Sequence, residues 1–419
     1  MKNTLILNQT LSLTDIEKLS TSYEQVVFLN SNNDNSISYL AVGKKAELKA
    51  KENQVFKELQ EFINQHQDWV FGYLGYDLKN EIEPTLLSNN SDEVGFGDFY
   101  FFVPEIVVEL TIDFTKVHYF ENEEKDHFLS ILEKNNQKTT KKTKKVNFSQ
   151  RMSKEEYLEK FKIIKEHIQQ GDIYEMNFCH EFFSENTEIN SFETYSKLNN
   201  LTNAPFSTFY KNGEQFILSG SPERYLKKEG NKIISQPIKG TAKRGKTEKE
   251  DKQIKLELSQ NQKERSENIM IVDLVRNDLS KTAKKSSVKV EELCKVYSFD
   301  TVHQMISTVT SEIDDSVHPV EVLRTTFPMG SMTGAPKVEA MKIIEKLETT
   351  KRGVYSGAIG YFKPNQDFDF NVVIRTLLYN KENQYLSFMV GGAITSKATA
   401  EQEYEETLLK AEAMILSLK

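Results

Sequence analysis

The 419-residue chain has only two cysteines, Cys179 and Cys294, far apart in sequence. Two are too few for a disulfide framework or a cysteine-built zinc site, and they suit a reducing compartment such as the cytoplasm. Basic charge is in deficit: 54 Lys and Arg stand against 62 Asp and Glu, a formal net charge of -8. A general nucleic-acid binder needs a basic face, so that class is excluded while small anionic ligands stay open. No apolar run approaches the length of a membrane span, and the opening Met1-Lys2-Asn3-Thr4-Leu5-Ile6-Leu7-Asn8 is too short for a signal-peptide core. Neither export nor a membrane anchor is expected.

A short repeat and a regular strand-helix-strand period are also missing, which leaves mixed α and β without a doubly wound sheet. At 38% hydrophobic and 28% charged residues, the chain can fill one large domain or two ordinary ones. Residues 134–147 carry six lysines and almost nothing apolar, so they read as an exposed connector, with a basic arm for RNA as the alternative. This divides the chain into an N-terminal part, 1–133, and a C-terminal part, 148–419. Before the connector, 26–29, 69–73 and 99–110 have strand character and 45–65 helical character. After it, Ser153 and Glu156 form a capping box, Tyr157, Phe161, Ile164 and Ile168 repeat at helical spacing, and Gly171 supplies a stop. Strands are expected near 206–210, 215–220, 232–238, 354–362, 369–379 and 384–391, and helices over 264–279 and 399–418.

Several segments hold residues suited to chemistry. In Pro237-Ile238-Lys239-Gly240-Thr241 the lysine is a candidate nucleophile, which requires a neutral amine, and Glu223 in Ser221-Pro222-Glu223-Arg224 is a candidate acid. A surface lysine in a turn is the plain alternative. On the closing helix Glu403, Glu406 and Lys410 fall along one face, which alone is equally a solvated stripe with an i,i+4 pair. Glu267 precedes the apolar turn Ile269-Met270-Ile271-Val272, and a glutamate there needs a partner. Magnesium is held by one or two carboxylates with water or substrate oxygens, an arrangement Glu267 and Glu406 can supply with Glu403 beside them. His303 belongs to no zinc-ligand spacing and reads as a core or site histidine. The run from Phe327 to Lys337 fails as a phosphate loop, because Ala335-Pro336 separates its second glycine from the lysine. Gly391-Gly392-Ala393 is either a tight turn or a place where backbone N–H groups approach a carboxylate. Cys179 lies between Phe178 and His180 without a glycine-rich nucleophile turn, so it reads as a core residue.

In order, Gly171-Asp172-Ile173-Tyr174, Ser221-Pro222-Glu223-Arg224, Glu267-Asn268 with Arg276-Asn277-Asp278-Leu279, Gly334-Ala335-Pro336-Lys337, Ile374-Arg375-Thr376 and Glu403-Tyr404-Glu405-Glu406-Thr407 resemble the chorismate-utilising enzyme family. Phe71-Gly72-Tyr73-Leu74-Gly75-Tyr76-Asp77 extends a weaker likeness into the N-terminal part. The resemblance implies an α+β fold of two large, orthogonally packed antiparallel-rich sheets with helices outside. Gly-Ala-Pro-Lys is similar to the aminating branch, so ammonia rather than water is the implied nucleophile. A lysine at 239 is similar to the aminodeoxychorismate-forming members, where the anthranilate-forming ones have a small residue.

By the same resemblance, Glu267, Glu403 and Glu406 hold Mg²⁺, and Arg375, Lys410, Gly391 and Ala393 meet the carboxylates of chorismate. Gly240, Thr241, His303, Ser331 and Tyr355 complete the pocket. Lys239 attacks carbon 2 while Glu223 protonates the departing hydroxyl of carbon 4, and ammonia then displaces the lysine. The metal and nearby cations are expected to keep Lys239 unprotonated. A separate glutamine amidotransferase component is implied as the ammonia source, and a separate lyase for the step to 4-aminobenzoate, a folate precursor. The alternatives are an anthranilate-forming component I and a catalytically silent chorismate-binding subunit. Two positions depart from the family pattern: Glu175 stands where relatives show glutamine, and Ala393 where many show glycine. Val27-Phe28-Leu29-Asn30-Ser31 diverges from the Leu-Leu-Glu-Ser-like segment of tryptophan-binding members, so feedback by tryptophan is not expected.

Overall fold

The computed structural model describes residues 2–49, 54–86, 88, 90–134, 146–300 and 302–419. Of the lysine-rich connector, 135–145 lies outside the described residues. Strand pleating explains the architecture, because consecutive side chains enter different cores. Val26 and Phe28 pack in one apolar cluster and Val27 in another. Leu40 and Val42 part likewise from Tyr39 and Ala41, and Val70 and Leu74 from Phe71 and Tyr73. Both sheets are therefore covered on both faces, which is why their strands read as near-continuous apolar runs rather than alternating ones.

Among the described residues the first sheet has twelve strands, eleven along its path and Ser149–Gln150 paired to the side of Glu175–Ser184. It runs from Asn3–Leu7 through Thr115–Tyr119, Ile106–Leu110, Ser38–Val42, Gln25–Asn30, Phe206–Asn212, Gln215–Ser221, Thr376–Asn380 and Tyr385–Thr395 to Glu175–Ser184 and Gly334–Ala335. The second has ten among the described residues: nine run from Ile238–Lys243 through Val302–Glu312, Lys232–Gln236, Arg224–Glu229, Phe368–Val372, Ala358–Phe362, Val70–Leu74 and Phe99–Val103 to Ala46–Glu47, and Lys289–Ser298 pairs to the side of Val302–Glu312. Both sheets take strands from either side of the connector, and their named strand pairs are antiparallel. Between the sheets lies a core rich in aromatics, including Tyr39, Trp69, Phe71, Tyr73, Tyr210 and Tyr361.

Helices cover the outer faces. Ile16 and Leu19, Phe128 and Ile131, Tyr195 and Leu198, and Ala411 and Met414 place four helices on the first sheet. Val55 to Ile63, Val272 and Leu279, and Val320 to Leu323 place three on the second. The capping box at Ser153 and Glu156 starts the helix Lys154–Gln170, and Gly171 ends it at φ 86°. Among the described residues no helix is long and apolar enough to cross a membrane.

Several expected elements are corrected. The helix over 45–65 begins only at Val55, and Ala46–Glu47 pairs with Phe99–Val103 instead. The run 99–110 is two strands, parted at Pro104, whose missing N–H cannot join a ladder. The run 369–379 breaks before Thr376, and Arg375 at the break has a left-handed φ of 51°, outside the extended region. In the N-terminal motif Gly72 permits close packing, since a Cβ there would lie 2.0 Å from the Tyr100 carbonyl oxygen. Asp77 accepts from the Gly353 N–H at 2.9 Å and pairs with the fully buried Lys79 at 2.9 Å, so this motif builds scaffold.

Candidate active site

The ladder between Ile238–Lys243 and Val302–Glu312 slips register between Ile238 and Thr241, and Lys239 lies at that irregularity. Such bulges re-aim a side chain. Gly240 follows at φ +83°, and a Cβ there would come within 3.1 Å of Glu264, so the glycine lets the helix Gln262–Ser280 close on the strand. That helix begins at Asn261, whose side chain accepts from the N–H groups of Lys263 and Glu264, and it carries Glu267 on its buried side. Asn268 accepts a hydrogen bond from the Ser307 hydroxyl, fastening the helix to the sheet.

Lys239 is surrounded by acids. Burial works to lower its pKa, but Glu175, Glu267, Glu223 and Glu264 together outweigh that and raise it. In the protein alone, therefore, the carboxylates favour its protonated form. Glu175 begins the strand Glu175–Ser184 in the first sheet, so groups from both sheets converge on this lysine.

Glu223 is set by its own motif. The Ser221 hydroxyl donates to the Val372 carbonyl at 2.6 Å and accepts from the Glu223 N–H at 3.3 Å, while Arg224 forks onto Asp369 at 3.0 and 3.1 Å. Burial pushes the Glu223 carboxyl up to about 7, against the opposing pull of the Ser331 hydroxyl, Lys239 and Arg375. The Arg375 side chain makes no hydrogen bond or ion pair among the described residues; burial lowers its pKa and Glu223 works the other way. Its left-handed backbone is wrapped by Thr376, whose hydroxyl reaches Ser219 and the Ile374 carbonyl, each at 2.8 Å.

A second acidic group adjoins the first. The Lys263 ammonium stands 3.1 Å from Glu403 and 4.0 Å from Glu267. Burial, together with repulsion from Glu264 and Glu175, pushes Glu267 up to about 7 against Lys239 and Lys263, and its Oε1 is buried without a hydrogen-bond partner. Glu403 is also raised, by burial and then by repulsion from Glu406. Glu406 stays nearer solvent and pairs with Lys410 at 2.8 Å; burial is outweighed there by Lys410, Lys263 and Lys239, which hold it low. No group of three His, Cys, Asp or Glu stands as a ready-made metal cage among the described residues. Still, two buried carboxylates converge on one ammonium, one oxygen is unpartnered, and all donors are oxygen. That donor set fits a hard divalent cation completed by water or substrate, with Lys263 standing in for part of its charge.

Beside this group, Lys410 donates to the Gly391 carbonyl at 2.8 Å. A Cβ on Gly392 would lie 3.0 Å from a Glu403 carboxylate oxygen, so a side chain there would press on that carboxylate. Ala393 pairs with Asn177, whose amide donates to Cys179, and the Cys179 thiol donates to the buried Tyr355 hydroxyl at 3.8 Å. Burial pushes that thiol up to about 12, in keeping with a core cysteine. Thr241 is exposed opposite Gln304. His303 is fully buried, with its ring nitrogens 3.0 Å from the Ser298 hydroxyl and 2.9 Å from Asp251, so the protein occupies both. The structure thus joins Lys239, Glu223, Ser331, Arg375, Glu267, Glu403, Glu406 and Lys410 electrostatically, and Thr241 and His303 enter no hydrogen bond or ion pair with them among the described residues. Sequence reasoning missed Lys263 and Glu264; the signal was their place one helical turn before Glu267.

Away from this site, a cavity of ≈ 660 Å³ takes Leu29, Asn30 and Ser31 into its lining, with Arg224, Tyr361 and Asp369. Lys337 of the Gly-Ala-Pro-Lys segment turns from the site to Asp278 and the Thr326 carbonyl, so it fastens that segment to the helix.

The family pattern of chorismate binding enzymes matches residues 24–416. Component 1 of the aminodeoxychorismate synthase of Bacillus subtilis is 33% identical over 383 residues, 87% of this chain and 80% of that one. The corresponding protein of Salmonella typhimurium is 40% identical over 259 residues, 62% of this chain and 56% of that one, so the chain spans little more than half of that relative. Component I of the anthranilate synthase of Streptococcus pneumoniae shares the fold at a TM-score of 0.77 and 24% identity, over 98% of this chain and 92% of that one. With a match that runs through both sheets and every carboxylate of the site, the chain belongs to the chorismate-binding enzyme family.

Proposed function

We propose that this chain aminates chorismate at carbon 4, giving 4-amino-4-deoxychorismate, as component I of an aminodeoxychorismate synthase. The observation that carries the reading is a lysine at a strand irregularity whose charge acts on a buried glutamic acid with a carboxyl pushed up to about 7. The names of the Bacillus and Salmonella relatives support it.

Hydroxide is a poor leaving group, so displacement at carbon 4 is divided between two residues. The Lys239 amine forms a bond to carbon 2, the ring double bond shifts, and the carbon 4 oxygen leaves as water with the proton of Glu223. Ammonia then bonds to carbon 4 and expels the lysine. The unpaired Arg375 is placed to fork onto a substrate carboxylate, and Lys410 and the backbone at Gly391 and Ala393 to meet the other. Glu267, Glu403 and Glu406 would hold Mg²⁺, which supplies charge neutralisation of the ring carboxylate when bound. Ammonia would come from a separate glutamine amidotransferase component, and a lyase would carry the product on to 4-aminobenzoate for folate. The free, buried cysteines suit a reducing setting such as the cytoplasm.

The test is to mix the chain with chorismate, Mg²⁺ and ammonium and separate the products by liquid chromatography with mass detection. Aminodeoxychorismate, absent with Lys239→Ala, is the expected result. Fluorescent anthranilate would instead establish an anthranilate-forming component I, and no turnover would point to a silent subunit.

A further inference from the structure

Lys239 must attack as a free amine, yet the protein surrounds it with carboxylates that keep it charged. A nucleophile in that state needs a group to take its proton. Four acids face it: Glu223 from the turn after Ser221, Glu264 and Glu267 from the helix Gln262–Ser280, and Glu175 from the strand Glu175–Ser184. Glu223 has a proton to give, Glu267 belongs with the cation-holding pair, and Glu264 is half-buried in the first turn of its helix.

Glu175 differs from all three. It is 2% exposed, and its Oε2 is buried without a hydrogen-bond partner. Pleating fixes where it points. Met176 and Phe178 pack into the core beneath the helix Lys154–Gln170, so Glu175, Asn177 and Cys179 take the opposite face. On that face Asn177 and Cys179 lead to Tyr355, and Glu175 interacts with the Lys239 cation and the Glu267 carboxylate. A fully satisfied carboxylate would be scaffold; this one is buried, has an oxygen without a hydrogen-bond partner and feels the charge of Lys239.

We propose that Glu175 is the proton acceptor for Lys239 and returns the proton when the lysine departs. The inference rests on Lys239 being the nucleophile. The Lys239 ammonium gives one proton to the Glu175 carboxylate, and the freed lone pair forms the bond to carbon 2. The carbon 4–oxygen bond breaks, and its oxygen leaves as water with the Glu223 proton. When ammonia bonds to carbon 4, the carbon 2–nitrogen bond breaks and the amine recovers its proton from Glu175. Glu223 is reprotonated by the ammonium that delivers the ammonia, so chorismate and one ammonium ion become aminodeoxychorismate and water. Glutamine at this position can hydrogen-bond the amine but cannot carry the proton.

The experiment measures aminodeoxychorismate formation by the full chain with Mg²⁺ and ammonium, from about pH 6.5 to about pH 9, for the parent, Glu175→Gln and Glu175→Asp. For Glu175→Gln we expect kcat at neutral pH to fall about 10²-fold, KM for chorismate to stay within about twofold, and the deficit to shrink as pH rises. Glu175→Asp should recover part of the rate. Parent kcat and pH profile in Glu175→Gln would overturn the inference, as would an equal loss at every pH with a raised KM, the mark of a structural role. If the parent makes no aminodeoxychorismate, or Lys239→Ala makes it at the parent rate, the reading of Lys239 itself falls. That result is distinct from a Glu175 failure.

Discussion

Arg352 and Arg375 are two enclosed arginines with opposite surroundings. Arg352 donates to both oxygens of Glu348 at 2.9 and 2.6 Å, to the Met332 carbonyl at 2.6 Å and to the Asn177 carbonyl at 2.9 Å. Glu348 accepts in addition from the Cys179 N–H at 2.9 Å. Arg375 has no such partner among the described residues, and the turn that carries it is wrapped by hydroxyls instead. A buried charge with every donor satisfied locks elements together, whereas a charge that the fold positions and leaves unpaired awaits a ligand. Glu267 and Glu175 repeat the second pattern, each with one orphaned oxygen.

The contrast breaks if the two arginines respond alike. Arg352→Ala leaves Glu348 buried and unpaired, so stability in urea unfolding should fall by about 3–5 kcal/mol. Glu223 offers a pH test of the active-site side. Its carboxyl rises from an ordinary 4.5 to about 7 on folding, so the folded state binds the extra proton between those values. Its contribution is fully present below about pH 4.5 and is lost as pH rises through 7, on the order of 3 kcal/mol in all. Glu223→Gln should therefore flatten that fall relative to the parent, and in the parent kcat/KM should decline above about pH 7 as the acid form disappears. Arg375→Ala should leave unfolding within about 1 kcal/mol of the parent while kcat/KM for chorismate drops on the order of 10²-fold, the loss of a charge-assisted fork. Smallest in stability is Glu267→Gln, where the buried carboxylate removed has only a loose 4.0 Å ion pair with Lys263 and should change unfolding by no more than about 1 kcal/mol while abolishing any rise of Tm with Mg²⁺.

How far the sequence could be read follows the same division. Helices declared themselves through local chemistry: the box at Ser153 and Glu156, the stop at Gly171, the face of the closing helix. Strands covered on both faces were legible as apolar runs, but their ends were not, because Pro104 and the left-handed Arg375 interrupt runs that look continuous. The strand Glu175–Ser184 went unread because its Glu, Asn and His side chains mask a pattern that only burial reveals. At the site, Lys239, Glu223, Glu267, Glu403 and Glu406 were found through their motifs. The acidic surroundings of Lys239 were not legible, since they come from four carboxylates on three separate elements that only the folded chain assembles.

The central claim is that Lys239 bonds to the chorismate ring. Incubating the chain with chorismate and Mg²⁺ in the absence of ammonium, then quenching and sequencing its peptides by mass spectrometry, tests this directly. The account predicts a mass gain of one chorismate less one water on the peptide containing Lys239, absent from Lys239→Ala and discharged as aminodeoxychorismate on adding ammonium. An unmodified Lys239 together with parental turnover by Lys239→Ala would contradict it.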